Sequence, residues 1–391
     1  MEIASLVVVL VIGFALFFDF TNGFHDTANA MATPIATGAM KPKVAVGVAA
    51  ILNLVGAFLS TEVARTISGG IIREGQGGVL ITPDLILAGL IGAITWNMVT
   101  WLFGLPSSSS HALFGGLIGA AIVGVGVHSV DFGVLLSKVI LPALIAPLTA
   151  GVIAFLVTRM AYAMTRRYDR KVDGRSGFRY GQIFTSSLVA LSHGTNDAQK
   201  TMGIITLALI AVGAQDAGTG PHIWVVTVCA LAIALGTYVG GWRIIKTLGT
   251  GLTEVKPAQG FSAEASTAAT ILASSHLGFA LSTTQVASGS VIGSGLGRRG
   301  SKVRWGTAGR IALGWLMTLP AAAIVGALAA LLAGFGAWGV IADTLVGVVV
   351  ILGIFLWSRR EQEHREAMIA DVAASGEAVD IKAKRKKKAK K

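Results

Sequence analysis

The stretch Asp19-Phe-Thr-Asn-Gly-Phe-His-Asp-Thr-Ala-Asn29 follows directly on an apolar run and carries two carboxylates, a histidine and two amides. An ionised Asp at the centre of a membrane helix costs about 2.5–3.5 kcal/mol, so such a residue normally faces a cavity or a partner. Helical spacing would place Asn22, Asp26 and Asn29 on one face. The stretch predicts a polar site within a membrane, on a helix that Gly23 breaks. The alternative is a loop at the end of a span.

The composition of the whole chain agrees with a membrane location. Of 391 residues, 53% are hydrophobic and 13% are charged, whereas soluble domains carry about 25% charged residues. Mean hydropathy is +0.71, and 50 glycines favour close helix packing. These values exclude a soluble enzyme, a disordered chain and a collagen-like chain. They predict an all-α polytopic membrane protein with about 10–12 transmembrane segments, in which the short apolar runs 112–127 and 284–297 are half-helices or re-entrant hairpins.

The chain also repeats itself. Three residues of the first polar block recur 171 positions later, and five residues of a second block recur 174 positions later. The pairs are Gly23 with Gly194, Asp26 with Asp197, Met31 with Met202, and Gly104, Ser108, Gly115, Ile118 and Gly119 with Gly278, Ser282, Gly289, Ile292 and Gly293. An odd number of apolar spans separates the two Asp blocks. We therefore expect two halves of opposite orientation, as in secondary transporters with a midplane site.

The repeat and the basic segments together divide the chain. We predict a first inverted repeat at 1–158, a basic cytoplasmic loop at 159–180, a second inverted repeat at 181–333, an additional transmembrane helix at 334–358 and a basic, disordered cytoplasmic tail at 359–391. Loops rich in Lys and Arg face the cytoplasm. Eight of the last ten residues are basic, and we expect them to contact anionic lipid head groups. Nucleic-acid binding is the less supported alternative.

Two further polar stretches each begin a short apolar helix. They are Pro106-Ser-Ser-Ser-Ser-His111 and Leu281-Ser-Thr-Thr-Gln285. Hydroxyls at a helix start cap free N–H groups, and a helix N-terminus attracts anions. Two such ends suit a tetrahedral oxyanion, although capping alone is the plainer interpretation. Asp26 and Asp197 would repel a bare anion. They fit such a site if cations, either protons or Na⁺, bind beside the anion, or if a protonated Asp itself donates to it. An anion and a cation that pass through one site indicate symport.

Both Asp stretches resemble the signatures of a known family. Asn22-Gly-Phe-His-Asp-Thr-Ala-Asn-Ala-Met-Ala-Thr33 and Ser192-His-Gly-Thr-Asn-Asp-Ala-Gln-Lys-Thr-Met-Gly203 are similar to the paired motifs of the inorganic phosphate transporter (PiT) family, the first in its bacterial low-affinity form. The resemblance covers about residues 2–360. It implies low-affinity phosphate uptake driven by a cation gradient, an inverted-repeat fold, homodimers and a bacterial inner-membrane location. It implies neither an enzyme nor a bound cofactor.

The resemblance and the polar patterns also suggest roles for particular residues. The phosphate site would comprise Ser107, Ser108, Ser109, Ser110, Ser282, Thr283, Thr284 and Asn196. The cation-coupling site would comprise Asp26, Asn29, Asp197, Asn22 and His25, with no resident metal. Accessory candidates are His111, Gln285 and Lys200. The last of these would either pair with Asp197 or attract phosphate, and His111 has Gln285 rather than a second histidine at its repeat position.

The coupling ion and the cargo stay open from sequence. His25 replaces the amide in the signature of the Na⁺-coupled branch, which favours protons, with Na⁺ as the alternative. The bacterial branch also implies neutral metal–phosphate complexes as a form of cargo, with a divalent metal carried alongside phosphate. Sulfate is an alternative substrate because its geometry is the same. An intramembrane hydrolase using Ser110 and His111 is remote, because adjacent side chains on a helix point apart.

Overall fold

The computed structural model describes residues 2–70, 81–165, 176–279 and 281–359, and within these ranges the chain is helical apart from turns and one isolated bridge between Thr253 and Val303. The helices are α1 Glu2–Ala36, α2 Pro42–Gly56, α3 Glu62–Gly70, α4 Pro83–Leu102, α5 Ser109–Gly124, α6 Phe132–Val134, α7 Leu141–Thr165, α8 Ser176–Ala211, α9 Ile223–Val239, α10 Trp242–Lys246, α11 Pro257–His276, α12 Thr283–Gly297, α13 Trp305–Ala333 and α14 Ala337–Arg359. A π-helical stretch, Leu135–Ile140, joins α6 to α7, and a second, Thr247–Gly251, continues α10.

The helices that carry the two Asp blocks are continuous, so the predicted breaks at these blocks are wrong. Gly23 and Gly194 lie inside α1 and α8. A Cβ at Gly23 would overlap the carbonyl oxygen of Ile233 on α9, and one at Gly194 would overlap that of Asn53 on α2. These glycines therefore permit close helix contact rather than a break. A break does occur between α9 and Trp242–Gly251, where the direction changes by 61°.

Fewer helices can span a membrane alone than the 10–12 segments predicted. In the described parts of the chain, five helices are long and apolar enough, or six if the bent pair is one span. The others fall short because α2, α5 and α12 have only 15 or 16 residues and because α8 and α11 carry many polar residues. The fold is a polytopic, all-α membrane fold in which polar helices are enclosed by apolar ones.

Three groups of helices surround the two Asp residues. A central group consists of α1, α2, α8 and α9. One flanking group consists of α4, α5 and α13, and the other of α7, α11 and α12. Each flanking group takes one long helix from the other predicted half of the chain, so the halves exchange helices. The additional helix α14 packs on α4 and α13.

Repeated glycines hold the flanking groups together. On α5, a Cβ at Gly115 or Gly119 would overlap carbonyl oxygens of α13; on α12, a Cβ at Gly289 or Gly293 would overlap carbonyl oxygens of α7. These are the glycines that recur in the sequence at a spacing of 174 positions. Small residues let membrane helices approach closely. The second repeated block therefore marks two equivalent helix contacts.

The predicted cytoplasmic loop overlaps two helices, and some of the predicted segments lie outside the described residues. The predicted loop at 159–180 is helical up to Thr165 and again from Ser176, and its residues 166–175 are outside the described ranges. The tail from residue 360 onward is also outside them. The opposite orientation of the halves and the remaining boundaries stay predictions.

We expect Gly119→Val to destabilise the protein strongly, because the new side chain would meet the backbone of Ala323. Overpacking of this kind costs about 1–3 kcal/mol or more. The melting temperature in detergent, followed by circular dichroism, measures the effect. The matched control is Gly314→Ala on α13, where an added Cβ has no heavy atom within 4 Å, and it should melt at or above the wild-type temperature. Equal melting of both variants would contradict the close-contact role of Gly119.

Candidate functional site

Four chain segments meet around two buried carboxylates. Asp26 on α1 and Asp197 on α8 are 2% and 0% exposed. The turns that precede α5 and α12, which we call the two hairpin tips (residues 105–110 and 281–284), approach them from the two flanking groups. At each tip a Ser caps its helix, since the Ser108 side chain accepts from His111 N and that of Ser282 from Gln285 N. The tips are therefore equivalent in local structure as well as in sequence.

Hydroxyl groups from both tips face the carboxylates. Ser109 Oγ lies 3.2 Å from Asp26 Oδ2 and 2.6 Å from Asn22 Oδ1. Thr283 Oγ1 lies 3.3 Å from Asp26 Oδ2 and 3.2 Å from Asp197 Oδ2. Asn22 Nδ2 lies 3.4 Å from Asp197 Oδ2. Each hydroxyl has one proton to donate, so neither can serve all of these acceptors at once.

Each carboxylate also has an imidazole partner. His25 Nδ1 lies 2.6 Å from Asp26 Oδ1, and its Nε2 lies 3.3 Å from both Thr100 Oγ1 and Ser107 Oγ. His193 Nε2 lies 3.1 Å from Asp197 Oδ2 and 3.9 Å from Asp26 Oδ2. Histidine is the side chain that changes charge most readily near neutral pH. Each carboxylate therefore has an imidazole nitrogen within 2.6–3.1 Å.

Lys200 is a central member of the site. Its side chain is fully buried and its Nζ is an ion-pair partner of Asp197. The same Nζ donates to Ser110 Oγ at 2.6 Å and to the carbonyl oxygen of Leu281 at 3.1 Å. The predicted ion pair with Asp197 is present. Lys200 thus ties α8 to both hairpin tips.

Asn29 stands where the repeat places Lys200, and it makes the equivalent contacts. Its Nδ2 donates to Thr283 Oγ1 at 3.3 Å and to Thr284 Oγ1 at 3.1 Å. The tips also meet each other, because Ser110 Oγ donates to the carbonyl oxygen of Leu281 at 3.3 Å. These contacts join the two flanking groups across the central one.

His111 and Gln285 are paired, although they lie one helix position beyond the tips. Gln285 Nε2 and His111 Nδ1 are 3.5 Å apart, and the two residues are 174 positions apart in sequence. Residues at equivalent positions of a repeat meet where its symmetry axis passes. The pair joins α5 to α12.

Three of the predicted phosphate-site residues point elsewhere in this structure. The hydroxyls of Ser108 and Ser282 serve as helix caps. Asn196 Nδ2 donates to Ser275 Oγ at 2.9 Å and lies 3.5 Å from the carbonyl oxygen of Phe279, away from the carboxylates. The hydroxyls brought to or beside the carboxylates are those of Ser107, Ser109, Ser110, Thr283 and Thr284.

His193 and Asn53 are site residues that were absent from the predicted set. His193 Nδ1 lies 3.2 Å from Asn53 Oδ1, and Asn53 donates in turn to Thr237 Oγ1 at 2.7 Å. A signal for His193 exists in the sequence, because it lies 171 positions after Asn22 and thus shares its place in the repeat. No comparable sequence signal marks Asn53, which lies in an apolar helix.

The site also offers ligands for a cation. One ligand atom from each of Asp26, His193 and Asp197 can be chosen so that all lie within 4.8 Å of one another. Carboxylate oxygens suit hard cations, and imidazole suits transition metals. Neighbouring donors already occupy much of this set, and Lys200 supplies a fixed positive charge.

The comparisons with known proteins agree with this geometry. A profile described as "Phosphate transporter family" matches residues 22–174 and 164–326. A "Probable low-affinity inorganic phosphate transporter" of Mycobacterium bovis is 56% identical over 84% of this chain and 78% of its own length. One of Bacillus subtilis is 41% identical over 84% of this chain and 98% of its own length.

A solved structure has the same fold. "The sodium-dependent phosphate transporter" aligns with 84% of this chain and 99% of its own, with a TM-score of 0.74 and 23% identity. At that identity the likeness concerns the fold. The matched profile covers both Asp blocks and both hairpin tips, and the relatives cover most of the chain. The chain therefore belongs to the phosphate transporter family, whose members are transporters and not enzymes.

Proposed function

We propose that this protein takes up inorganic phosphate with low affinity, by symport with protons. The observation that carries the proposal is the shared use of tip hydroxyls: Ser109 and Thr283 face the carboxylates of Asp26 and Asp197 at 3.2–3.3 Å. A phosphate ion needs such hydroxyls as donors. While the carboxylates are charged, they compete for the same donors and repel the anion.

Proton binding removes this competition. A proton added to a carboxylate or to its imidazole partner lowers the local negative charge and weakens its hold on the tip hydroxyls. Ser109 and Thr283 then donate to phosphate, and a protonated carboxyl group can donate as well. Phosphate and protons thus stabilise each other's binding, and a favourable coupling free energy of this kind is reciprocal.

The two imidazoles favour protons over Na⁺ as the coupling ion. His25 contacts Asp26 and His193 contacts Asp197, so each carboxylate has a proton-exchanging neighbour. Na⁺ is the second candidate, supported by the ligand atoms that Asp26, His193 and Asp197 can bring together. A divalent metal carried with phosphate could use the same three ligands.

The membrane arrangement follows from the family and from charge. We place the protein in a bacterial inner membrane as a homodimer, as the family resemblance implies. We place its C-terminus in the cytoplasm because basic residues are concentrated at 298–310 and in the tail. Anionic lipids are the expected partners of those segments. Alternating access would come from movement of the flanking groups against the central group.

Uptake of labelled phosphate into proteoliposomes tests the proposal. A proton gradient and a Na⁺ gradient are imposed separately, and liposomes without protein give the background. We expect uptake with the proton gradient alone. Uptake with the Na⁺ gradient alone would indicate that the carboxylates bind Na⁺ and would contradict proton coupling. Inhibition of phosphate uptake by equimolar sulfate would show that the anion site accepts both ions, and absence of uptake under either gradient would contradict phosphate as the cargo.

A further inference from the structure

Asp19 is a buried acid that the proposed phosphate site does not use. It lies on α1, seven residues before Asp26 and so on the same helix face about 10 Å away. Its side chain is 0% exposed, and neither carboxyl oxygen has a hydrogen-bond partner among the described residues. The hydroxyl of Thr201 on α8 is a potential donor to this carboxyl group and has no other hydrogen-bond partner in those residues.

A second buried acid shows how such a group looks when hydrogen-bond donors surround it. Glu264 on α11 accepts hydrogen bonds from Thr33, from Gln182 Nε2 at 3.2 Å and from Thr185 Oγ1 at 2.8 Å. Three donors from two neighbouring helices hold that carboxylate. Asp19 has no comparable set of hydrogen-bond donors, so its charged form would be poorly stabilised. A charged carboxylate without partners in such a place is very costly, whereas a neutral acid is tolerated.

The surroundings of Asp19 link it to the proposed site. The charges of His193, Asp197 and Lys200 on α8 act on Asp19, and Asp19 in turn acts on the thiol of Cys229 on α9. Proton binding at Asp19 therefore changes the electrostatic potential at Asp197, and any change of charge at Asp197 acts back on Asp19.

We propose that Asp19 is a proton-binding residue that carries a coupling proton, separate from the carboxylates that face phosphate. This inference rests on the proposed proton symport. In the loaded protein the Asp19 carboxyl group holds the proton. When the site opens to the side with fewer protons, its O–H bond breaks, the electron pair stays on the oxygen and the proton passes to water. The empty protein returns with Asp19 deprotonated, and the next proton binds to Asp19 on the outer side before phosphate is carried again, so one proton enters in each cycle.

The test separates coupling from phosphate binding. Asp19→Asn keeps shape and burial but cannot exchange a proton. We expect proton-driven uptake to fall at least tenfold and to lose its pH dependence. Exchange of labelled for unlabelled phosphate, which requires no net proton movement, should stay within about twofold of wild type. Asp19→Glu should restore pH-dependent uptake.

A matched control is available on α14. Asp343 is also a buried acid, with 2% exposure, in a helix that packs outside the site, and Asp343→Asn should transport like wild type. Wild-type uptake by Asp19→Asn, or equal loss of exchange and driven uptake, would overturn the inference while leaving proton symport intact. Wild-type protein that ignores a proton gradient would instead refute the proposed coupling, and with it this role of Asp19.

Discussion

Asp26→Asn and Asp197→Asn are each expected to reduce gradient-driven phosphate uptake by at least a hundredfold, to the level of liposomes without protein. An Asn side chain has nearly the same volume and still accepts from Ser109 or Thr283 through its amide oxygen, so the hairpin tips keep a partner. It cannot take up a proton, and it has no negative charge with which to attract a cation. Coupling should therefore be lost while the fold survives. Labelled-phosphate uptake under a proton gradient measures the loss.

Folding of these variants is checked by size-exclusion elution and melting temperature. Asp26→Asn should melt within a few degrees of the wild-type protein, whereas Asp197→Asn should melt at a lower temperature but stay folded, because it leaves Lys200 without its counter-charge. Asp216→Asn is the matched control, because Asp216 is exposed in the loop between α8 and α9. It should transport normally. Normal uptake by either Asp26→Asn or Asp197→Asn would refute the symport mechanism.

Lys200→Met is expected to cause the largest loss of stability among single changes in the site. The ammonium group is fully buried and bonded to Asp197, Ser110 and the Leu281 carbonyl. Its removal leaves the Asp197 carboxylate without its main counter-charge, and breaking a buried pair in this way costs about 3–5 kcal/mol. Thermal melting in detergent should show this loss, together with a lower yield of folded protein.

The double variant Lys200→Met, Asp197→Asn makes this explanation testable. With no charge left behind, it should recover most of the stability that Lys200→Met loses, yet remain inactive in transport. Lys256→Met is the control, since its ion pair with the Glu254 side chain, which is 71% exposed, is worth about 0–1 kcal/mol. If Lys200→Met melts like the control, the Lys200–Asp197 pair is not what holds the tips to α8.

The sequence was most informative where chemistry and repetition coincide. Intramembrane acids are costly, so the positions of Asp26 and Asp197 alone located the site. The equivalent Ser and Thr clusters located the hairpin tips and their caps. Each of these signals depends only on local residue types, and the repeat makes each signal appear twice in the sequence.

Features that depend on packing partners are predicted wrongly from the sequence or cannot be predicted from it. Gly23 and Gly194 predict helix breaks because glycine disfavours helix interiors. Whether a glycine breaks a helix or admits a neighbour depends on what lies against it, and here the neighbour is another backbone. Asn53 joins the site through His193, and Asn196 turns away toward Ser275. Neither direction can be read from a spacing within one helix.

The exchange of helices between the halves also has a consequence for biogenesis. The ribosome completes α5 well before it synthesises α13, Trp305–Ala333. The face of α5 that carries Gly115 and Gly119 is therefore exposed to lipid until α13 is inserted. Nearly the whole chain must be inserted before either flanking group is complete. A truncation or a delay in insertion after residue 300 would therefore leave α5 without its partner helix and would leave the helices that carry Asp26 and Asp197 incompletely enclosed. Both would be open to quality-control proteases. Neither half is a unit that the cell could assemble first and keep.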